Sequence, residues 1–230
     1  MATKNIWYAV AADTGAAQLN AVFHRNFACI LVHAEQAHLL ASIPPPTCME
    51  IAVVVKTKAE LSATLENPAF SQNLQFVLSA DTGLLPAVRK AAKQRDIGAG
   101  MLHAVVDNDT LMASLPLAKS LDCLVLMFKD PTNIPLELVL ATTQNESCRI
   151  AKWVESADDG ETSLLTMESG ADVVVLQTND VKQIAQLDDV VSRTQRQQLD
   201  LAPARVTVIR HAGMGDRVCI DTTSELFQDE

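Results

Sequence analysis

Aromatic residues are scarce in this chain: Phe, Trp and Tyr together make up 4% of its 230 residues. A stacking platform for single-stranded nucleic acid needs several exposed rings in succession, and that supply is missing. Positive charge is short as well. Lysine and arginine number 18 against 28 aspartates and glutamates, a formal charge of -10, which argues against nonspecific binding to a phosphate backbone. The cysteines Cys29, Cys48, Cys123, Cys148 and Cys219 form no C-x-x-C pair, so neither a zinc site nor a disulfide framework follows from them. Free cysteines among apolar neighbours behave as small buried hydrophobes, and a reducing, cytoplasmic setting is the expectation. The histidines show no H-E-x-x-H or similar ligand spacing, and His103 alternates into a strand pattern as a core histidine would. No strand pattern runs into a G-x-G-x-x-G turn. Asp13 interrupts the first apolar run early, so neither a signal peptide nor a membrane span is expected.

What the chain does have is apolar material in a regular order. With 48% hydrophobic and 20% charged residues it can bury one substantial core, as one large or two small domains. Short apolar runs at residues 6–11, 29–33, 51–55, 74–79, 101–106, 123–128, 149–154 and 173–177 read as strands. Several are too uniformly apolar for a sheet with one wet face, which is how parallel strands buried on both sides look. Amphipathic stretches at 16–25, 58–67, 84–95, 110–119, 135–143 and 181–197 read as helices between them. Asp81, Asp109 and Asp180 stand where helix caps belong, and Pro135 suits a first turn. Strand and helix in eightfold alternation predict a (β/α)8 TIM-like barrel over residues 1–201, with an open doubly wound sheet as the alternative.

In such a barrel the functional groups collect at the carboxyl ends of the strands. That rule puts Asp13, His33, Lys56, Asp81, Asp107, Lys129, Asp130, Glu155 and Gln177 on one rim, where capping and solvation account for most of them. The tripeptides Asp13-Thr14-Gly15 and Asp81-Thr82-Gly83 bring a carboxylate-paired protease to mind. Each leaves a strand and enters a helix, however, and that context is wrong for two facing β lobes. Asp13, Asp107 and Asp109 are a candidate set for a divalent ion if the rim brings them together.

From residue 199 the pattern changes to strand without helix, which marks residues 202–230 as the start of a small β-rich domain. The run Gly213-Met214-Gly215-Asp216-Arg217-Val218-Cys219-Ile220-Asp221-Thr222 reads as a glycine corner entering a strand, with a carboxylate–guanidinium set held on it. It resembles the G-x-G-D-R-V-C-[VI]-D-T signature of the archaeal-type (type II) 3-dehydroquinate synthases. The lead-in Leu199-Asp200-Leu201-Ala202-Pro203-Ala204-Arg205-Val206-Thr207 is similar to that family's L-x-x-A-x-V-T. Weaker likeness runs through Glu168-Ser169-Gly170-Ala171-Asp172-Val173-Val174-Val175-Leu176, Ile134-Pro135-Leu136-Glu137 and Asp13-Thr14-Gly15. The sequence departs from the family pattern at Ala11, where a lysine is usual, at Thr14, where an acid is usual, and at Thr223, where a second cysteine is common.

The resemblance implies an enzyme of the shikimate route to aromatic amino acids. Its reaction is the NAD-dependent oxidative deamination of 2-amino-3,7-dideoxy-D-threo-hept-6-ulosonate, followed by an intramolecular aldol closure to 3-dehydroquinate. On that reading Asp13, Asp216 and Asp221 are the catalytic candidates, placed to orient the amine or move protons. Arg217 and Lys129 bind the substrate, the arginine clamping its carboxylate in two-pronged fashion, and Asp216, Arg217 and Asp221 are expected near Asp13 at the rim. A related branch of the family makes 3-amino-4-hydroxybenzoate with a divalent metal such as Mn in place of NAD. A third reading is a non-catalytic, truncated homologue. The implied partner is a small amino-ketose acid, with no nucleic acid and no membrane. Family members continue past the position of Glu230, and the chain as given is expected to turn over little or no substrate by itself.

Overall fold

The computed structural model describes residues 4–70, 73–130, 132–165 and 170–196, together with 205–208, 210 and 213. Eight strands, β1 (Asn5–Ala9), β2 (Phe27–His33), β3 (Glu50–Val55), β4 (Leu74–Ser79), β5 (Gly98–Val105), β6 (Cys123–Phe128), β7 (Arg149–Val154) and β8 (Val173–Leu176), follow one another around a closed ring. Every neighbouring pair is parallel, and β1 closes on β8 through Asn5↔Val173 to Tyr8↔Leu176. The helices are α1 (Ala16–Phe23), α2 (Ala37–Ser42), α3 (Lys58–Glu66), α4 (Leu85–Arg95), α5 (Asn108–Ala118), α6 (Ile134–Thr143), α7 (Ala157–Leu165) and α8 (Val181–Arg196). The barrel expected from the alternation is present, and the open sheet is not.

Period-two alternation sorts each strand into two layers. One set of side chains fills the barrel axis: Trp7, Cys29, Leu31, Val54, Phe76, Leu78, Cys123, Val125 and Val175 are all buried there. The rings of Trp7 and Phe76 meet at 5.4 Å. The other set, including Tyr8, Ile30, Val53, Val77, Leu124, Leu126 and Val174, packs outward beneath the helices. Both faces are therefore dry, which is why the strands are uniformly apolar. Space along the axis is shared unevenly. Gly100 stands in register with Leu78, and a β-carbon on it would come within 2.2 Å of a Leu78 methyl and 2.7 Å of the Cys123 carbonyl oxygen, so only glycine fits.

Two helices escaped the sequence reading. The six residues of α2 are followed by three prolines at 44–46. In α7 the segment Ala157-Asp158-Asp159-Gly160-Glu161 carries a central glycine, which a sequence reading treats as a breaker. The cap of α5 also moves: Asp107, not Asp109, precedes the helix and accepts the Thr110 amide at 2.9 Å, leaving Asp109 in the first turn. Beyond the barrel, residues 205–208 carry no strand, and Val206 and Val208 are 75% and 65% exposed. Gly213 has φ +90, in the region that favours glycine, and the rest of the expected glycine corner lies outside the described residues. The strand expected at 217–221 lies outside the described residues.

Candidate functional site

The carboxyl rim is assembled from the loop that leaves each strand, and three of these loops are fastened together. Thr14, 5% exposed, accepts the Ala11 amide through its hydroxyl at 2.9 Å and donates to Asn179 Oδ1 at 3.0 Å. The Tyr8 hydroxyl donates to the Thr178 carbonyl at 2.8 Å. Gln36 Nε2 donates to the carbonyls of Val10 and Ala11 at 3.2 Å, while its Oε1 accepts the His33 amide at 2.8 Å. The loops after β8, β1 and β2 thus form one hydrogen-bonded arc. A carboxylate in place of Thr14 would meet the Asn179 oxygen inside this arc and lose the donor that holds it. Ala11, at the position where the family likeness implies a lysine, is tied into the same arc through its amide to Thr14 and its carbonyl to Gln36.

Every rim position read from the sequence stands at or just after a strand end, but they divide by occupation. Asp81 accepts the Gly83 amide at 3.0 Å, Asp107 the Thr110 amide, and Asp130 the Thr132 amide at 2.8 Å. These amide donors hold the carboxyls of Asp107 and Asp130 below the usual carboxylate range; at Asp107 the Lys129 charge is the smallest contribution. Such aspartates are committed to their loops. Asp13 and Lys129 are exposed and make no ion pair among the described residues. They stand on the same rim, three strands apart around the ring, on the β1 and β6 sides. The two Asp-Thr-Gly segments are likewise three strands apart, after β1 and β4, with Asp81 spent on a cap.

His33 ends β2 in register with Val54, two residues before Lys56, which follows the end of β3. Its Nδ1 is buried with no hydrogen-bond partner, and burial first, then the Lys56 charge, holds its pKa below the ordinary imidazole value. Lys56 Nζ lies 3.4 Å from Glu35 Oε1, an exposed pair of little energetic weight. Burial and the Lys56 charge both favour the neutral imidazole, the form in which a histidine can accept a proton. Position alone had put His33 on the rim. Its missing partner could not be read from the sequence.

Other groups are excluded from the chemistry. The thiols of Cys29 and Cys123 are pushed well up by burial, and that of Cys148 to about 12, so these cysteines are inert packing. His103 Nε2 lies 2.8 Å from the Thr110 carbonyl oxygen, a satisfied histidine as expected. Lys152 went unnoticed in the sequence. Its side chain points out of β7, is 3% exposed, and donates to Asn133 Oδ1 and Asp159 Oδ1 at 2.7 Å and to Ser163 Oγ at 3.0 Å. Asp13, Asp107 and Asp109 do not gather: among the described residues no three His, Cys, Asp or Glu side chains stand close enough to hold a metal ion. Nor do the helix starts nearest β7 and β8 form an anion cradle. At α7 the amides of Ala157 and Asp159 donate to Gln183 Oε1 and Ser156 Oγ, and at α8 the amide of Lys182 donates to Asp180 Oδ1. Asp216, Arg217 and Asp221 lie outside the described residues, so their approach to Asp13 stays an expectation. No described helix is long and apolar enough to cross a membrane.

Comparison with known proteins agrees with this architecture. Residues 3–191 match the family described as 3-dehydroquinate synthase II N-terminal domain. A 3-dehydroquinate synthase of Methanothrix thermoacetophila is 37% identical over 136 residues, 59% of this chain and 37% of its own length. That of Natronomonas pharaonis is 32% identical over 196 residues, 85% of this chain and 47% of its own. A 3-amino-4-hydroxybenzoic acid synthase of Streptomyces griseus is 30% identical over 211 residues, 91% of this chain and 50% of its own. The chain thus spans half or less of each relative's length. Among solved structures, phosphoribosyl anthranilate isomerase of Thermotoga maritima superposes with a TM-score of 0.63 at 11% identity, covering 83% of this chain and 99% of that one. The tryptophan synthase alpha-subunit of Pyrococcus furiosus gives 0.56 at 13%, covering 83% and 96%. These two likenesses concern the fold alone.

Proposed function

The chain belongs to the 3-dehydroquinate synthase II family, and we propose that it supplies the barrel half of an enzyme that converts the amino-dideoxy-heptulosonate to 3-dehydroquinate with NAD. The observation that carries the reading is the family match over residues 3–191, which covers the whole ring of strands. When bound, NAD would supply the hydride acceptor for the oxidative deamination. The starts of α7 and α8 are filled by their own side chains and do not suit its pyrophosphate, so no step is assigned through it. The chain's own groups have clear tasks. Lys129, with Arg217, holds the substrate carboxylate at the rim, and Asp13, with Asp216 and Asp221, orients the amine. His33, neutral and beside Lys56, takes the proton that must leave carbon before the chain can close. Fixing both ends of a flexible ketose acid lowers the entropy cost of that closure.

Binding is the first test. The heptulosonate should raise the thermal midpoint of the 230-residue chain, and Lys129→Ala should remove much of that rise. If the ligand leaves the midpoint unchanged and no NADH forms, the reading fails and a non-catalytic homologue takes its place. Turnover by this chain alone is expected to be far below that of a full-length relative, and comparable rates would overturn that part. A second reading is favoured by one observation: the benzoate synthase aligns over 91% of this chain, further than the two dehydroquinate synthases above. It requires a divalent metal such as Mn, whose ligands would have to come in part from outside the described residues. An aromatic product formed only with added metal would select it.

A further inference from the structure

Helix α5 packs on β5 and β6 and against α6, and the outer surface of this helix pair is short of charge. Between them the two helices hold two charged residues, Asp109 and Glu137. The preceding helix, α4, by contrast presents Arg89, Lys90, Lys93 and Arg95 to solvent. Met112 on α5 and Ile134 and Leu138 on α6 are 49%, 70% and 45% exposed. In α6 the exposed Ile134, Leu138 and Ala141 recur at i, i+4 and i+7, opposite the buried Leu136, Val139 and Thr143. A helix that is apolar on both sides is normally buried on both. On α5 the exposed residues Asp109, Met112, Pro116 and Lys119 follow at i, i+3, i+7 and i+10, along one face. That row is its own complement when turned end to end: Asp109 falls opposite Lys119, and Met112 opposite Pro116. Neither Asp109 nor Lys119 forms an ion pair among the described residues.

We propose that two copies of this chain associate through α5 and α6 about a two-fold axis, each α5 antiparallel to its counterpart. A two-fold contact sets one patch against the same patch, so the patch must complement itself. An axis lying across α5 near Ser114 brings Asp109 of each copy to Lys119 of the other, at both ends of the contact. The same rotation lays α6 on α6, and the stripe of Ile134, Leu138 and Ala141 is covered by its own copy. A formal charge of -10 makes two copies repel over most of their surface. An uncharged centre closed at each end by opposite charges is where they can meet. The face is two helices wide and about 16 Å long. That places the paired surfaces near the lower limit of specific interfaces, about 1,200 Å² in total, and the association at a Kd on the order of 10 μM. The residues after α8 set out from the far side of the ring, because α8 packs on β1, α1 and α7, across from β5 and β6. A second copy therefore suits the face better than the chain's own continuation.

Sedimentation equilibrium of the 230-residue chain between about 1 and 200 μM, a range that brackets this Kd, should show the mass rising from one chain toward two. Leu138→Lys sets like charges together inside the contact and should leave a monomer across that range. Asp109→Lys or Lys119→Asp alone places like charges opposite each other twice, and each should weaken association about tenfold. Both reversals together restore opposite charges and should recover most of the parental affinity, because only an antiparallel pairing sets these two positions face to face. Unchanged far-ultraviolet spectra verify that the variants fold. A monomer at every concentration, in which case the face belongs to a different partner, overturns the proposal. So does a dimer indifferent to Leu138→Lys, or a double reversal that associates no more tightly than either single one.

Discussion

The two ends of the barrel use the same residue types for opposite purposes. At the amino end, Arg149 lies 3.5 Å from Glu50 and 5.1 Å over the Phe76 ring, closing the axis. Asp122 accepts the Ala99 amide at 2.8 Å through its carboxylate and the Arg149 amide at 3.0 Å through its carbonyl, joining β5 to β7 across the start of β6. Asp172 repeats the device one pair further on, accepting the Ile150 amide at 3.0 Å and the Asn5 amide at 3.1 Å. At the carboxyl end Asp81, Asp107 and Asp130 cap only their own loops, Asp13 and Lys129 stand in solvent without such bonds, and His33 keeps a ring nitrogen unpaired. Charges that close a ring are spent on backbone amides, whereas charges meant for a ligand must be left with capacity to spare. The division predicts that stability will respond to substitutions in the wall and at the amino end, and ligand binding to those at the rim.

The largest effect should come from the wall. Asp159→Ala leaves the Lys152 ammonium buried with two neutral partners, and losing one member of a buried pair costs about 3–5 kcal/mol. Asp159 is 38% exposed, so water can reach the site and the low end of that range applies. Converting both residues together, Lys152→Met with Asp159→Leu, should recover much of the loss, and urea unfolding of the single and double variants measures both. Next comes the amino end. Asp122→Ala strands the Ala99 amide at the start of β5 and should cost about 2 kcal/mol, a fall in thermal midpoint of roughly 2–4 °C for each kcal/mol. Asp122→Asn retains an acceptor oxygen and should cost clearly less.

The ends differ in legibility too. The eight strands could be read because both faces of each are dry, and the rim positions follow from where those strands stop. What the rim residues do there depends on partners far along the chain. Asp81 and Asp13 share the tripeptide Asp-Thr-Gly, but only Asp81 accepts the following glycine amide, while the hydrogen-bonded loop knot at Thr14 needs Asn179 from the far end of the barrel. Lys152 looks locally like a solvent-facing strand residue. Nothing in residues 149–154 reveals that Asn133, Asp159 and Ser163 converge on it. The glycine that hid α7 has a tertiary cause as well: a β-carbon on Gly160 would stand 2.8 Å from a Leu187 methyl on α8.

A smaller effect tests the rim through pH. The folded pKa of His33 lies below its ordinary value of 6.5, chiefly through burial, so the unfolded chain takes up this proton first as the pH falls. The stabilisation by neutral His33 is complete above the unfolded pKa and is lost as the pH falls from there through the folded one. His33→Gln should flatten the stability profile in that window and leave it unchanged above it. Identical profiles for the two proteins would mean that the unpaired nitrogen is hydrated and unstrained.

The smallest stability effect and the sharpest contrast belong to Lys129. Its ammonium is exposed, and its backbone amide, which bonds to the Val105 carbonyl at 2.9 Å, survives any side-chain change. Lys129→Ala should therefore shift stability by less than about 0.5 kcal/mol. Binding of the heptulosonate should nevertheless weaken by roughly tenfold, because a charged hydrogen bond to the carboxylate is lost. Arg149→Ala at the opposite end should do the reverse, lowering the midpoint through loss of the Glu50 contact and the stacking on Phe76 while leaving ligand affinity alone. Equal destabilisation by Lys129→Ala and Asp122→Ala, or weaker ligand binding in Arg149→Ala at a temperature where it is fully folded, would erase the distinction between the two ends.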